Sequence, residues 1–340
     1  MKKLLAAILA TAVLPALSVP AQAQNLNEVF RKANPSVVVI RAKGRDVSSV
    51  GVTRFSETGS GVLISADGKV MTAAHVVNAM DEITVEALGG ERVSAKIIAS
   101  EPAADLSLLQ LERVPPSMRA ARMADSSTVR VGDQVIVIGA PYGLAHSMSA
   151  GWVSARWPPN TVYKSMPLAE FFQTTATINT GNSGGPMFNM AAEVIGIVSH
   201  NISRSGGSEG LGFVVTVNTA KKLLLERKSF WTGIDGIMLT GDLAAIFNMP
   251  EPSGFLVKTV AQGSSAWDMG LLGGDKIATI GGQQIAVGGD IILSVDGIAV
   301  GSDDNIGKIR NRLAAEPPGT PFKMKVLRAG KLLELTGKTQ

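Results

Sequence analysis

The sequence predicts a mainly β protein, a barrel or sandwich of short strands, followed by a smaller unit that mixes strands with helices. Three observations carry this prediction. Between Pro35 and about Thr216, short aliphatic and β-branched runs alternate with Gly- and Asp-rich turns, and helix signals are few. After Asn218 the pattern changes and helix caps appear. The chain has 340 residues, 45% of them apolar, which is room for about two domains with a core each.

The β series begins at Ser36–Arg41. Gly61–Ser65 and Lys69–Thr72 flank Asp67-Gly68, a hairpin signal, and Ile83–Ala87 and Arg92–Ile98 flank Gly89-Gly90. Leu106–Leu111, Gln134–Gly139, Trp152–Ala155 and Val194–Ser199 continue it. Asn218 or Thr219 then caps a helix that carries Leu223, Leu224 and Leu225 and closes the first domain. In the second unit Gly254–Val260 reads as a strand and Ser264–Met269 as a short helix. Gly289–Val295 reads as a buried strand running into the Asp296-Gly297 turn. Ser302 or Asp303 caps a helix with Ile306, Ile309 and Leu313 on one face, and Phe322–Leu327 with Lys331–Leu335 form a last hairpin. Gly273-Gly274-Asp275 recurs as Gly288-Gly289-Asp290, and the first copy reads as an extra Gly-rich loop.

The first 23 residues have the pattern of a targeting segment. Lys2 and Lys3 precede an apolar run from Leu4 to Val19, and Ala21-Gln22-Ala23 supplies a small-x-small cleavage site. An uncleaved anchor ranks second, because Pro15 interrupts the run and the run is short for a membrane span. The expected division is a signal peptide over 1–23, one domain over 24–229 and another over 230–340. The chain has no cysteine, which rules out disulfides, thiolate catalysis and cysteine-ligated metals. An exported chain without disulfides fits a bacterial periplasm. Net charge is +4, half of it from Lys2 and Lys3, so the body lacks the basic excess of a nucleic-acid binder.

Chemistry concentrates in Thr180-Gly181-Asn182-Ser183-Gly184-Gly185-Pro186. A serine nucleophile needs a tight turn that exposes its oxygen, with backbone N–H groups aimed at the developing oxyanion. The Gly181 and Ser183 N–H groups are the candidate donors. The same residues match the nucleophile elbow of α/β-hydrolases, but those enzymes run serine, acid, histidine. Here only His200 follows Ser183, with Glu193 the one acid between them. Upstream, His75 ends the run Met71–Ala74, and Asp105 precedes the apolar run Leu106–Leu111. The order His75, Asp105, Ser183 is that of the chymotrypsin type. Of the other histidines, His146 reads as a solvated loop residue and His200 as a loop residue near the substrate rim.

The sequence resembles the HtrA/Deg serine proteases over most of its length beyond the targeting segment. The resemblance rests on Gly59-Ser60-Gly61-Val62-Leu63-Ile64, Thr72-Ala73-Ala74-His75-Val76, Ala104-Asp105-Leu106-Ser107-Leu108, Ile178–Pro186 and Gly210-Leu211-Gly212-Phe213. It implies a chymotrypsin-like double β-barrel with the triad in the cleft, followed by a smaller α/β PDZ domain. It also implies ATP-independent cleavage of unfolded or misfolded proteins, homo-oligomers built on a trimer, and no metal or organic cofactor. Ile178 and Asn201 fall at the walls of the specificity pocket. Thr177 stands where trypsin has the acid that selects basic residues. Trp231-Thr232-Gly233-Ile234 falls at the PDZ loop that captures a peptide C-terminal carboxylate. Thr175, Asn201 and Thr232 depart from the family's usual residues, and the Ala42–Glu57 segment is shorter than a long flap. A competing reading is a periplasmic chaperone or peptide-binding protein with an idle protease fold.

Overall fold

The computed structural model describes residues 25–227 and 231–339. The signal peptide expected over 1–23 and the domain start at Phe230 lie outside the described residues. A helix, α1 (Leu26–Ala33), is capped by the Asn25 side chain and lays Val29 and Ala33 on the core. Six strands follow: β1 (Val37–Ser48), β2 (Gly51–Leu63), β3 (Lys69–Thr72), β4 (Met80–Glu86), β5 (Arg92–Glu101) and β6 (Leu106–Leu111). A one-turn helix, α2 (Ala74–Val77), sits between β3 and β4. These strands close in the order β1-β2-β3-β6-β5-β4. Closure leaves no edge strand unpaired.

The second barrel takes β7 (Gln134–Gly139), β8 (Ser147–Trp157), β9 (Phe171–Thr174), β10 (Pro186–Phe188), β11 (Val194–Asn201) and β12 (Gly212–Thr216). It closes in the order β10-β11-β12-β9-β8-β7. One core cluster is shared by the two barrels. Val37, Val62, Met71 and Leu106 of the first pack with Ile136, Ile138, Phe171 and Phe188 of the second. Each fully buried Phe there contributes roughly 1.5–3 kcal/mol. His75 and Asp105 belong to the first barrel and Ser183 to the second, so this packing sets their spacing.

The Ala42–Glu57 segment forms an extended hairpin of β1 and β2. β1 and β2 pair continuously from Val37↔Val62 to Ser48↔Gly51, and their outer half stands clear of the barrel. The closing helix, α3 (Val217–Lys221), starts after Thr216, not at Asn218 or Thr219, and its last turn widens to π geometry over Lys222–Glu226. Asn218 cannot cap it, because its side chain is engaged elsewhere. It accepts from the Ser126 N–H at 3.2 Å and donates to Asp125 at 2.7 Å.

The second unit has β13 (Ile234–Thr240), α4 (Gly241–Ile246), β14 (Ser253–Val260), α5 (Ser265–Asp268), β15 (Lys276–Ile280) and β16 (Gln283–Val287). Then come β17 (Ile291–Val295), β18 (Ile298–Ala299), α6 (Asp303–Ala315), β19 (Pro321–Arg328) and β20 (Lys331–Lys338). The sheet runs β13-β14-β17-β19-β20, with β18 beside β17. Ser302 caps α6 by accepting the Asn305 N–H, and Leu313, Ile306 and Ile309 pack α6 on the sheet. Gly273-Gly274-Asp275 is the Gly-rich loop the sequence predicts, and it leads into a hairpin, β15–β16, turned by Gly281 and Gly282 at φ +57 and +81. The two Gly-Gly-Asp copies close its neck, and a Cβ at Gly289 would lie 2.7 Å from the Gly274 nitrogen.

The units touch at several points. Trp231 packs on the first barrel's core and donates its Nε1 proton to the Asn78 carbonyl at 2.6 Å. The outer β1–β2 arm reaches β14, where Arg45 donates to the Val260 carbonyl at 3.1 Å and Asp46 pairs with Lys258 at 3.0 Å.

Candidate active site

His75 lies on α2, directly after the buried strand β3, so its backbone is fixed while its side chain is 47% exposed. Asp105 sits at the end of a single 3₁₀ turn, Pro102–Ala104, with φ 54 and ψ 44. This left-handed conformation is strained for most residues and better tolerated by Asp. It turns the carboxylate back onto His75 instead of along β6. Both carboxylate oxygens lie 2.9 Å from His75 Nδ1, and Oδ1 also accepts the His75 N–H at 3.0 Å. Nδ1 is therefore the protonated nitrogen and Nε2 the free base.

The electrostatics follow. Burial alone would push the Asp105 carboxyl up, but the bonds and charge of His75 and the Ser199 hydroxyl hold it below the ordinary carboxylate value. Burial pulls the His75 imidazole down. The hydrogen bond and charge of Asp105, with the charge of Glu57, outweigh it and leave the pKa above the ordinary 6.5.

Ser183 lies in the predicted turn and is half-buried. Its hydroxyl donates to the Ser199 carbonyl at 3.2 Å, and no hydrogen bond joins it to His75 among the described residues. The turn around it is tightly built. Gly181 has φ +100, and a Cβ there would lie 2.1 Å from the Ala140 carbonyl oxygen, so only glycine fits. The Thr180 carbonyl accepts the Tyr142 N–H at 2.8 Å. In a trans peptide the N–H points opposite to the C=O, so the Gly181 N–H faces away from Tyr142. Neither it nor the Ser183 N–H has a partner among the described residues.

Sequence reasoning gave no role to two side chains that hold this arrangement. Ser60, inside the quoted Gly59-Ser60-Gly61 run, is fully buried. It donates to the Gly181 carbonyl at 2.7 Å and accepts the Ala140 N–H at 2.9 Å, pinning the turn to the first barrel. Ser199 donates its hydroxyl proton to Asp105 Oδ2. Only its place beside His200 could have drawn attention to it.

His146 lies in a turn before β8, as the sequence predicts, but it is half-buried rather than solvated, with its Nδ1 2.8 Å from Asn34 Oδ1. His200 is on β11, not on a rim loop, because β11 continues past Ser199 to pair Asn201 with Gly212. Its ring stacks on Phe213 at 5.4 Å and meets Tyr163 edge-on at 4.1 Å.

Ile178 and Asn201 are brought together at Gly212. A Cβ there would lie 2.5 Å from Ile178 Cδ1, and Asn201 is its cross-strand partner. The Asn201 amide is occupied by the Gly207 carbonyl at 3.1 Å. Thr175 is tied to β8 by accepting the Trp152 N–H at 3.0 Å. At the second unit, the carbonyls of Thr232, Gly233 and Ile234 accept from Ala266, Ala261 and the Asn78 side chain. The Thr232 and Gly233 N–H groups have no partner among the described residues.

A cavity of about 690 Å³ opens from His75 and Asp105 toward the second unit, bounded by Glu57, His200 and Lys258. An ionised carboxylate holding an imidazole, linked through Ser199 to a serine beside two amides unpaired among the described residues, is the equipment of acyl transfer.

Known proteins place the chain. Residues 59–197 match the trypsin-like peptidase domain. The periplasmic pH-dependent serine endoprotease DegQ of Escherichia coli strain K12 is 32% identical over 92% of this chain and 69% of its own length. A DegP-like periplasmic serine endoprotease of Pseudomonas putida strain GB-1 is 37% identical over 74% of this chain, and the match spans about half of that relative, 53%. The solved structure of the HtrA-type protease AlgW with a tripeptide is 28% identical, with a TM-score of 0.53 over 92% of this chain and 96% of that one. Its complex with a decapeptide gives 0.54 at 25% identity over 92% and 98%. The double barrel is chymotrypsin-like, and the chain belongs to the HtrA/Deg family of trypsin-like serine endoproteases.

Proposed function

We propose that Ser183 is the nucleophile of an ATP-independent endopeptidase that cleaves unfolded or misfolded exported proteins. His75 takes the Ser183 proton on Nε2 as the oxygen attacks the scissile carbonyl, and returns it to the leaving amine. Water then hydrolyses the acyl-enzyme by the same route. Asp105 holds His75 in the required tautomer, and the Gly181 and Ser183 N–H groups receive the oxyanion. The observation that carries this reading is the double 2.9 Å contact between Asp105 and His75 Nδ1, with Ser183 joined to the same carboxylate through Ser199. Ser183 must first leave the Ser199 carbonyl by rotating about χ1, a local change compatible with a resting site.

The pocket at Ile178 and Asn201 suits small aliphatic or small polar side chains, since Thr177 offers no charge for Lys or Arg. The Thr232 and Gly233 amides, unpaired among the described residues, suit a peptide carboxylate, with the edge strand β13 as the strand a C-terminal peptide joins, which is the PDZ mode. On this reading the boundaries are 24–229 for the protease domain and 230–340 for the PDZ domain. The chain works in the periplasm after loss of its leader, as a homo-oligomer built on trimers. Among the described residues no helix is long and apolar enough to cross a membrane.

The test is digestion of unfolded casein by wild type and Ser183→Ala, with a fluorophosphonate label on Ser183. Degradation by the Ala variant at wild-type rate would refute the assignment. Titration of full-length Ser183→Ala with peptides bearing free or amidated C-termini tests the carboxylate role. Equal binding of both forms would remove it.

A further inference from the structure

We infer that His200 is a positioning residue for the proposed triad, acting through Ser199 on Asp105. The inference rests on the reading of His75, Asp105 and Ser183 given above and adds a fourth side chain to it. Proton counting fixes its direction. Asp105 is ionised and only accepts, so the single hydroxyl proton of Ser199 goes to Asp105 Oδ2. The Ser199 oxygen is then the acceptor for His200 Nδ1, 2.9 Å away, and Nδ1 must carry the ring proton. The chain of donors runs from His200 Nδ1–H to the Ser199 hydroxyl to Asp105, and ends on His75.

Three further observations fit this role. The His200 ring cannot swing, because Phe213 stacks on one face while Tyr163 and Phe171 meet it edge-on. Its Nε2 is buried and has no hydrogen-bond partner among the described residues, a cost that an apolar ring would avoid. Burial also pushes its pKa down to about 4, so the ring is neutral wherever His75 can act as a base. The titratable groups facing it are Asp105, which favours its protonation, His75, which opposes it, and the Tyr163 phenol, whose own pKa burial raises. A half-buried ring kept at the expense of a buried, unsatisfied nitrogen, with its one donor aimed at the hydroxyl that holds the proposed catalytic acid, points to a purpose beyond packing.

The experiment compares His200→Phe with His200→Asn. Phe keeps the aromatic stack and loses the donor, whereas the Asn amide restores a donor near Nδ1. For His200→Phe we expect kcat on a short peptide to fall about 3- to 10-fold, the worth of one hydrogen bond, with KM unchanged. The acid limb of the pH profile should move down, because a less firmly held Asp105 raises the His75 pKa less. Thermal stability should be equal or higher, since the orphan nitrogen is gone. His200→Asn should recover most of kcat and the limb. NMR titration of His75 in Ser183→Ala, with and without His200→Phe, reads the same shift without turnover. A wild-type kcat and an unmoved His75 titration in His200→Phe would overturn the proposal, as would an equal loss in His200→Asn. Failure of Ser183 to take the fluorophosphonate in wild type would overturn the triad assignment separately.

Discussion

Arg310 on α6 of the second unit and Glu101 of the first barrel form an ion pair, Nε to Oε2 at 3.0 Å, with the Glu101 side chain only 4% exposed. Glu101 Oε1 also accepts the Ala103 N–H, so the same carboxylate caps the 3₁₀ turn that presents Asp105. Helix α6 of the second unit is thus joined to the turn that presents the proposed catalytic acid, Asp105. Burial raises the Glu101 pKa, and the charges of Arg310 and Arg227 oppose that rise.

Arg310→Ala should therefore destabilise the chain by about 2–4 kcal/mol at neutral pH, because it leaves a buried carboxylate without its main partner. Glu101→Gln should cost less. The sign with pH is fixed. A carboxyl whose native pKa is raised loses stability as pH climbs from its ordinary 4.5 to the raised value. The Arg310→Ala deficit should thus be larger at pH 7 than at pH 4, which urea melts at both pH values measure. Its kcat should fall several-fold with little change in KM for a short peptide.

The His75 pKa lies above 6.5, and catalysis needs the neutral ring. Activity should rise with pH through a limb higher than that of a free histidine, as read from kcat/KM between pH 5 and 9. The stability that the raised His75 pKa contributes runs the other way: it is present below pH 6.5 and is lost as pH passes the raised value, while the part from the lowered Asp105 pKa is lost at acid pH. Glu57→Gln should lower the limb, since its charge helps raise it.

Ser60→Ala should strand two buried groups, the Gly181 carbonyl and the Ala140 N–H. The expected loss is about 1–3 kcal/mol of stability. With the donor turn loosened, kcat should fall by about tenfold or more, toward the cost of losing one oxyanion donor. Gly181→Ala should lose the full effect, since its Cβ has no room. Steady-state kinetics beside thermal melts separate the two terms.

In the second unit, Asp290 is fully buried and grips Arg328 through both oxygens, at 2.6 and 2.7 Å, while accepting the Leu272 N–H at 2.9 Å. Arg328→Ala should cost that unit about 3 kcal/mol. Arg328→Lys should recover little of it, because an ammonium cannot bond bidentately. Calorimetry should show a lowered transition for this unit and an unchanged one for the barrels.

The sequence by itself determined what is local. Turn glycines, caps and β-branched runs placed most strands and the Ser302-capped helix. Residue type and chain order singled out His75, Asp105 and Ser183, because each lies in a short run whose chemistry is readable in place. Gly281-Gly282 and the alternating residues around it also carry the signal of the β15–β16 hairpin. Only the tertiary structure decided the rest. Ser60 meets Gly181 across 121 positions, and Ser199 meets Asp105 across 94. A lone serine in a strand carries no mark of which buried oxygen it will find. His200 looked like a rim residue because a polar side chain at a strand end ordinarily faces water. The closure of β11 onto β12 instead put it among Tyr163, Phe171 and Phe213, and burial fixed its charge state. Hydrogen bonds between distant segments exist only after the two barrels pack, and the working geometry of this site consists of such bonds.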